Sequence, residues 1–237
     1  MTRTKTVKLS HYVENGFKSL NAQHYGEVDP GFNPPKATKI PKYKQKRSRL
    51  TIEATKQLLE FVDTKAPSHI RNAIHIAIST GQRVGDIAKM KFSDVYDGHL
   101  HVTQQKSGGK TKLAIPLSIK NPLLDESLGE IIKRCRDNVV SQSIIHYSKR
   151  IQGGRVGAAV SSRNISGSFS NLVAKSGIEY GNETPPTFHE LRSVSARSYM
   201  EIGVDIQSLL GHKSQRVTER YQDNRGEEYT YIKLGSS

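Results

Sequence analysis

Cysteine, acidic residues and long apolar runs are scarce in this sequence, and each shortage excludes a class of protein. The single cysteine among 237 residues, Cys135, rules out an internal disulfide and a zinc site built from several cysteines. No apolar run approaches the roughly 18–20 residues that a membrane-spanning helix needs. The stretch MTRTKTVKLSHYVENGF carries positive charge but has no apolar segment behind it, unlike a signal peptide. These absences predict a cytoplasmic protein that does not enter a membrane.

Acidic residues are outnumbered by basic ones, 22 Asp and Glu against 36 Lys and Arg, which leaves a net charge of +14. Such an excess draws a protein towards polyanions, so nucleic acid is the first expected partner and an anionic membrane surface the second. A basic domain with no polyanionic partner is the plain alternative.

The densest positive charge lies in residues 36–49, KATKIPKYKQKRSR, which hold seven Lys and Arg and no acid. This composition argues against a buried element. The segment is either a solvated tether or a linker whose side chains contact successive DNA phosphates. The predicted DNA-contacting residues are Lys36, Lys39, Lys42, Lys44, Lys46, Arg47 and Arg49.

Ordered structure is predicted from Leu50 onwards, and most of it is helical. Apolar residues recur at helical spacing through HIRNAIHIAISTG, which predicts a buried helix that stops at Gly81. Thr51 is the predicted N-cap of the preceding helix, and Thr187 with Glu190 is a predicted capping box. The predicted helical segments are 51–62, 69–80, 84–90, 118–137, 162–176, 187–202, 204–210 and 215–222.

Between these helices the apolar period changes to two. The Asp97-Gly98 pair in DVYDGHLHVTQQ is a strong hairpin signal, and KSGGK is a second turn before a third strand, TKLAIPL. The predicted fold class is therefore α+β, a mainly helical domain with one small antiparallel sheet over residues 50–237. A C-terminal strand is predicted in EEYTYIKL, and a short helix is predicted in HYVENGFKSLNAQ.

Two short motifs suggest other chemistry but do not match in full. The GKT triplet resembles the end of a phosphate-binding P-loop, but Gln104 stands where the earlier glycine is required. The HEL triplet resembles the start of a zinc-protease helix, but Ser193 stands where the second histidine is required. A metal site built from His189 and His212 lacks a third ligand. The sequence therefore predicts no metal.

Six polar side chains are of the types that can cleave a phosphodiester without a metal. They are Arg83, Lys106, His189, Arg192, His212 and Tyr221. Taken singly, each has an ordinary explanation, such as a helix-end charge, a turn residue, a surface pair or a half-buried aromatic. Taken together, the arginines suit phosphate oxygens, the lysine a leaving oxygen, the histidines acid–base work and the tyrosine nucleophilic attack.

The segments TGQRVGDI, TFHELRSVSARSY, LLGHKS and RYQDNRGEEY resemble the signature boxes of tyrosine site-specific recombinases, and most of all those of the phage lambda-type integrases. The resemblance covers residues 48–234. The order Arg, Lys, His-x-x-Arg, His, Tyr is similar to that of the family. The intervals are similar too, 23 residues from Arg83 to Lys106 and nine from His212 to Tyr221. Four boxes in order are far more specific than any one motif.

The resemblance implies a DNA breaking-rejoining fold and a recombinase that uses neither metal nor cofactor. Tyr221 would attack the scissile phosphate and form a 3′-phosphotyrosyl link. Lys106 would protonate the departing 5′ oxygen. Arg83 and Arg192 would bind the phosphate oxygens. The 5′-hydroxyl of another strand would then reverse the reaction, so that strands are exchanged.

The resemblance also implies supporting residues and partners. His189 and His212 would position the phosphate and assist proton transfer, and Asp86 would orient Arg83. The partners would be double-stranded DNA at an attachment site, further copies of the chain in a homo-tetramer on DNA, and accessory DNA-bending proteins. The protein would be associated with the nucleoid of a bacterial host. The tail strand would pack on its own protomer or on a neighbouring one.

The N-terminal region departs from the lambda-type pattern, in which an arm-binding and a helical core-binding domain precede the catalytic domain. Residues 1–49 are therefore predicted to be a remnant of the core-binding domain with a basic interdomain linker. Residues 50–237 are predicted to be the catalytic domain with its tail strand. Two alternatives stay open: a DNA-binding remnant without productive recombination, and an activity like that of a type IB topoisomerase.

Overall fold

The computed structural model describes residues 47–151, 154–181, 183–212 and 214–222, apart from the side chains of Arg220 and Gln222. Backbone contacts divide the chain between Lys44 and Gln45, and every described residue belongs to the second unit. The predicted N-terminal helix, the lysines of the linker and the predicted tail strand lie outside the described residues. Within the described ranges, no helix is long and apolar enough to cross a membrane.

The described part of the chain combines helices with one three-stranded sheet. The helices are α1 (Ile52–Lys65), α2 (Ser68–Thr80), α3 (Val84–Ile87), α4 (Leu128–Cys135), α5 (Ser162–Lys175), α6 (Glu190–Met200), α7 (Ile206–Leu210) and α8 (Gln215–Gln222). The strands are β1 (Val95–Tyr96), β2 (His99–Gln104) and β3 (Thr111–Pro116), in the order β1-β2-β3. The prediction of a mainly helical α+β fold with a small antiparallel sheet is confirmed.

Helix α2 is the centre of the core. It is buried on every side from Asn72 to Thr80, as expected of a helix with apolar residues around most of its circumference. It packs against α3, α4, α5 and α6. The predicted stop at Gly81 is confirmed, because Gly81 adopts a left-handed conformation with φ of 62°. A Cβ at this position would also lie 2.6 Å from Leu210 Cδ2, so the helix end packs directly on α7.

The sheet places a long turn next to α3. Asp97 and Gly98 both have positive φ, as the predicted two-residue hairpin between β1 and β2 requires. Strands β2 and β3 pair from His99 opposite Pro116 to Gln104 opposite Thr111. Beyond that last pair, residues Gln105–Ser107 form a 3-10 turn. The β2–β3 turn therefore carries Lys106 beyond the end of the sheet.

Helix α4 is shorter than the predicted helix 118–137. It begins at Leu128, because Ser127 and Glu130 form a reciprocal capping box that starts a new helix there. Upstream, Pro122 has no backbone N–H, and the Asn121 side chain donates to the buried Ile78 carbonyl oxygen at 3.2 Å.

The predicted N-cap of α1, Thr51, is confirmed, since its side chain accepts from Ala54 N.

The predicted capping box of Thr187 and Glu190 is wrong. Helix α6 begins at Glu190, with His189 in the N-cap position and no side-chain cap. Thr187 contributes its backbone carbonyl, which accepts from Glu190 N at 2.8 Å. The Glu190 carboxylate instead accepts from Arg49, 141 residues away in the sequence. Local sequence cannot reveal such a distant partner, so the capping pattern was misleading.

Candidate active site

Arg192 is the buried centre of the candidate site. Its side chain projects from the first turn of α6, and the residue is only 1 % exposed. Nη1 donates to the Gly81 carbonyl oxygen at 2.5 Å, and Nη2 donates to the Leu210 carbonyl oxygen at 2.7 Å. These two carbonyls hold the guanidinium plane between the ends of α2 and α7.

Arg83 lies at the N-cap position of α3, in extended conformation, three residues after the end of α2. Its Nη1 donates to Gln104 Oε1 at 3.2 Å. Burial and the neighbouring charge of Arg83 lower the pKa of Arg192 to about 10. Arg192 is therefore protonated at neutral pH, and the positive charges of two neighbouring guanidinium groups favour the binding of an anion.

Lys106 is exposed on the β2–β3 turn. The base of this turn is anchored to α3, because Asp86 Oδ1 accepts from the backbone N of Gln105 at 2.8 Å. The family resemblance implies that Asp86 orients Arg83, but the hydrogen bond of the Asp86 carboxylate goes to the turn that carries Lys106. The second carboxylate oxygen, Oδ2, is buried with no hydrogen-bond partner within the described ranges. Asp86 thus positions the lysine turn in this structure.

His212 follows the left-handed Gly211 that ends α7. Its Nε2 lies 2.9 Å from Arg192 Nη2, and its Nδ1 lies 3.0 Å from Thr218 Oγ1. Because a guanidinium can only donate, Nε2 is the acceptor and the ring proton sits on Nδ1. Burial, followed by the charges of Arg192, Arg83 and Lys106, lowers the pKa of His212 to about 4. His212 is therefore a neutral imidazole at neutral pH.

Tyr221 is docked into this cluster from helix α8. Its hydroxyl lies 3.4 Å from His189 Nε2, at the long end of a hydrogen bond. Its ring centroid lies 5.1 Å from that of His212, and Arg192 Cζ lies 5.3 Å from the centre of the phenol ring. The hydrogen bond from α8 through the buried Thr218 to His212 helps to hold the helix in place.

His189 is a neutral base beside the phenol. Burial, then the charges of Arg192, Arg83 and Lys106, lower the pKa of His189 below its usual value of 6.5. Since His212 Nε2 is engaged by Arg192, His189 Nε2 is the histidine nitrogen that faces the Tyr221 hydroxyl. In the part of the chain that the structure describes, no three His, Cys, Asp or Glu side chains are grouped so as to hold a metal ion.

The linker residues that can be described lie against α6 and the segment that precedes it. Arg49 is 9 % exposed in its side chain, and its Nη1 lies 3.3 Å from Glu190 Oε1. Glu190 also lies 3.7 Å from Arg197 Nη1, and Ser48 N donates to the Thr184 carbonyl oxygen. Arg49 therefore makes an intramolecular contact that its assignment to DNA did not anticipate. Arg47 is exposed, and the five predicted linker lysines lie outside the described residues.

Sequence reasoning missed three uncharged residues of the site. Gln82 and Gln104 are 1 % and 2 % exposed, and their amides hydrogen-bond to each other at 2.8 Å. Thr218 supports His212 from α8. Amide and hydroxyl side chains carry no charge that marks them out in a sequence. The available signal was position, since Gln82 immediately precedes Arg83 and Gln104 lies two residues before Lys106.

Comparisons with known proteins give matches over most of the chain. The sequence model of the phage integrase family matches residues 48–228. Prophage integrase IntE of Escherichia coli (strain K12) is 44% identical over 213 residues, which are 90% of this chain and 56% of IntE. The chain thus spans little more than half the length of this relative.

Solved structures show the same fold. The crystal structure of a lambda integrase(75-356) dimer bound to a COC′ core site matches with a TM-score of 0.70 and 37% identity, over 84% of this chain and 67% of that one. A lambda integrase tetramer bound to a Holliday junction matches with a TM-score of 0.70 and 36% identity, over 83% of this chain and 54% of that one. Since the family model covers most of the sequence, the chain belongs to the phage integrase family.

Proposed function

We propose that this chain is a site-specific DNA recombinase that cleaves and rejoins strands through a 3′-phosphotyrosine intermediate. The observation that carries the proposal is the docking of Tyr221 against His189, His212 and Arg192. A phenol held beside a neutral base and over a buried guanidinium is arranged for nucleophilic attack on a phosphate.

Phosphate binding is assigned to the two arginines. The guanidinium of Arg192 is fixed by backbone carbonyls and that of Arg83 by an amide oxygen, so both are oriented before DNA arrives. Preorganised donors stabilise the charge that develops on the non-bridging oxygens without reorganising during the reaction. His212 Nδ1–H and Nε2 are both engaged, so His212 supports Arg192 and α8 rather than acting as the base.

The proposed cleavage step is a transesterification at phosphorus. The Tyr221 oxygen bonds to phosphorus while its proton passes to His189 Nε2, and the bond from phosphorus to the 5′ oxygen breaks. Lys106 donates a proton to that departing oxygen, from a turn whose base Asp86 holds. Rejoining is the same step in reverse, with a 5′-hydroxyl as the nucleophile.

The proposed partner is double-stranded DNA carrying an attachment site. The net charge of +14 supports a polyanionic partner. Assembly as a homo-tetramer on DNA is proposed by analogy with the lambda integrase tetramer on a Holliday junction. Accessory DNA-bending proteins and a location at the nucleoid stay predictions from sequence.

Adduct formation tests the proposal. The protein is incubated in EDTA with a radiolabelled, nicked attachment-site duplex, which traps the intermediate because the cleaved strand end diffuses away. A covalent protein–DNA band is expected from the unmodified chain and from Tyr229→Phe, and no band is expected from Tyr221→Phe. A band that persists in Tyr221→Phe and disappears in Tyr229→Phe would show that Tyr229, and not Tyr221, is the nucleophile.

The adduct assay and a plasmid-relaxation assay together separate the two alternatives. A DNA-binding remnant would bind the duplex without forming any adduct. An enzyme of the topoisomerase type would relax supercoiled plasmid that lacks an attachment site. Defined-site cleavage without relaxation of such a plasmid is the result expected here.

The linker makes a separate prediction about salt dependence. Replacing Lys42, Lys44, Lys46 and Arg47 by glutamine is expected to weaken DNA binding and to flatten the plot of log affinity against log salt. Each substitution that removes a phosphate-binding charge should reduce the slope by about 0.9. The measurement is a filter-binding titration at several salt concentrations, with thermal unfolding as the control for folding. An unchanged slope would make the segment a tether.

A further inference from the structure

The hydrogen bonds of two buried glutamines connect three of the segments that lead into residues of the proposed site. Gln104 Nε2 donates to Gln82 Oε1 at 2.8 Å and to the Leu210 carbonyl oxygen at 2.9 Å. Gln82 Nε2 donates to the carbonyl oxygens of Thr80 and Leu209 at 3.0 and 2.9 Å. The amide pair thus joins the end of α2, the end of β2 and the end of α7.

Each of these segments leads directly into a residue of the proposed reaction. Arg83 follows Gln82, Lys106 is two residues after Gln104, and His212 is two residues after Leu210. The Leu210 carbonyl also accepts from Arg192 Nη2, so one backbone oxygen is shared by the amide pair and the buried arginine. A shift of either amide would therefore displace several groups of the proposed reaction.

The orientation of both amides follows from their partners. Gln104 Oε1 accepts from Arg83 Nη1, and a guanidinium has no acceptor. Turning the Gln104 amide over would place its N–H groups against Arg83 and its oxygen against the Leu210 carbonyl. The Gln82 amide is fixed in the same way, since its two donors face carbonyls and its oxygen faces Gln104. Both donors of each amide are used, as expected for buried polar groups.

The turn after α7 closes one side of the pair. Gly211 has φ of 65°, and a Cβ built there would lie 3.0 Å from Gln104 Nε2 and 2.8 Å from Thr111 Cγ2. This turn thus packs directly onto the Gln104 amide, which cannot move towards Gly211.

We infer that Gln104, supported by Gln82, is a positioning residue that orients Arg83 towards the scissile phosphate without neutralising it. A carboxylate in this place would also accept from Arg83, but it would cancel the charge that is needed for phosphate. An amide oxygen fixes the guanidinium and leaves its full charge available. This inference rests on the proposed cleavage reaction.

The test uses an isosteric pair of substitutions and a control outside the site. Gln104→Met keeps the size and removes every side-chain hydrogen bond, whereas Gln104→Glu keeps an acceptor for Arg83 and adds a charge. Gln57→Met and Gln57→Glu place the same changes on an exposed residue of α1. Adduct formation is measured at saturating DNA from acidic to neutral pH, alongside DNA affinity and thermal unfolding.

Both Gln104 variants are expected to form adduct at least about 10-fold more slowly than the unmodified chain at saturating DNA. In Gln104→Met, Arg83 loses the acceptor that orients it, and in Gln104→Glu the carboxylate cancels the charge that Arg83 offers to the phosphate. The two Gln57 variants are expected to stay within about twofold. Gln104→Glu should also move the acid limb of the rate profile to higher pH. Arg83 helps to hold down the pKa of His189, and a neutralised Arg83 would release it. A purely structural role would lower the rate equally at every pH.

Two results would overturn the inference. One is adduct formation by both Gln104 variants within about twofold of the unmodified chain. The other is a Gln104→Glu rate that falls by one factor across the whole pH range. If Gln104→Met does not fold, the isosteric Gln104→Glu decides alone. Absence of adduct from the unmodified chain would instead contradict the proposed function, so the two failures are distinguishable.

Discussion

Replacing Arg192 by lysine is expected to lower the rate of adduct formation by at least about 100-fold, because a lysine cannot reproduce the planar fork that two carbonyls now hold. The side chain is 1 % exposed and donates to Gly81, Leu210 and His212. An ammonium group can reach some of these acceptors, but it leaves others buried and unpaired. The free energy of unfolding should therefore fall as well, by about 2–4 kcal/mol.

Arg197→Lys is the matched control, because it separates an effect on chemistry from an effect on stability. Arg197 lies on the same helix, is also buried, and donates to the Leu50 carbonyl oxygen at 2.6 Å. Its substitution should lower stability to a similar extent while adduct formation stays within about threefold, measured below the unfolding temperature. Equal reductions of rate in both variants would reduce Arg192 to a structural role.

Acidification is expected to destabilise the domain through His75, a buried residue of α2 whose side chain contacts α1 and α4. Arg134 Nη2 lies 3.0 Å from His75 Nδ1. Because a guanidinium only donates, Nδ1 is the acceptor and the ring proton is on Nε2, which lies 3.0 Å from Asp63 Oδ1. Burial is the main cause that lowers the pKa of His75 to about 4, and the charges of Arg134 and Arg71 add to it. Asp63 acts in the opposite direction.

The direction of the pH effect on stability follows from the pKa of His75 in the unfolded and folded chains. The unfolded chain has a histidine pKa near 6.5, so it takes up a proton at a pH where the folded protein does not. Stability is therefore fully present above pH 6.5 and is lost as the pH falls towards 4, by about 3 kcal/mol in all. Denaturant unfolding between pH 7 and 4 measures it.

His75→Gln should reduce the pH dependence of stability by the contribution of His75, because the substitution takes away one buried group that must gain a proton. The pKa of His212 is also lowered to about 4, so His212→Gln provides the comparison within the candidate site. A slope that is unchanged in His75→Gln would place the acid sensitivity elsewhere.

The fold was largely predictable because its signals are local. Helix α2 combines a continuous apolar pattern with a glycine stop, and β1 and β2 flank an Asp-Gly pair whose positive φ values the hairpin requires. The errors arose where a distant residue decided the outcome. Glu190 has the spacing of a capping residue, yet Arg49 and Arg197 engage its carboxylate.

The candidate site was also only partly predictable from the sequence. The six charged, imidazole and phenol side chains are recognisable by their chemistry and order. The residues that orient them are not, because an amide or hydroxyl gains its role only from its neighbours in space. Asp86 shows the intermediate case, since its involvement was predicted but its partner, the Gln105 backbone, was not.

The carbonyls that hold Arg192 lie at the C-terminal ends of two helices. Gly81 caps the 13-residue α2, and Leu210 is the last residue of α7. The aligned peptide dipoles of a helix leave about half a negative charge at its C-terminal end, and α2, the longer of the two, directs this partial charge at the guanidinium. Backbone carbonyls do not titrate, and no side-chain substitution removes them. The carbonyls that hold Arg192 therefore stay unchanged at every pH, whereas the neighbouring imidazoles gain a proton in acid.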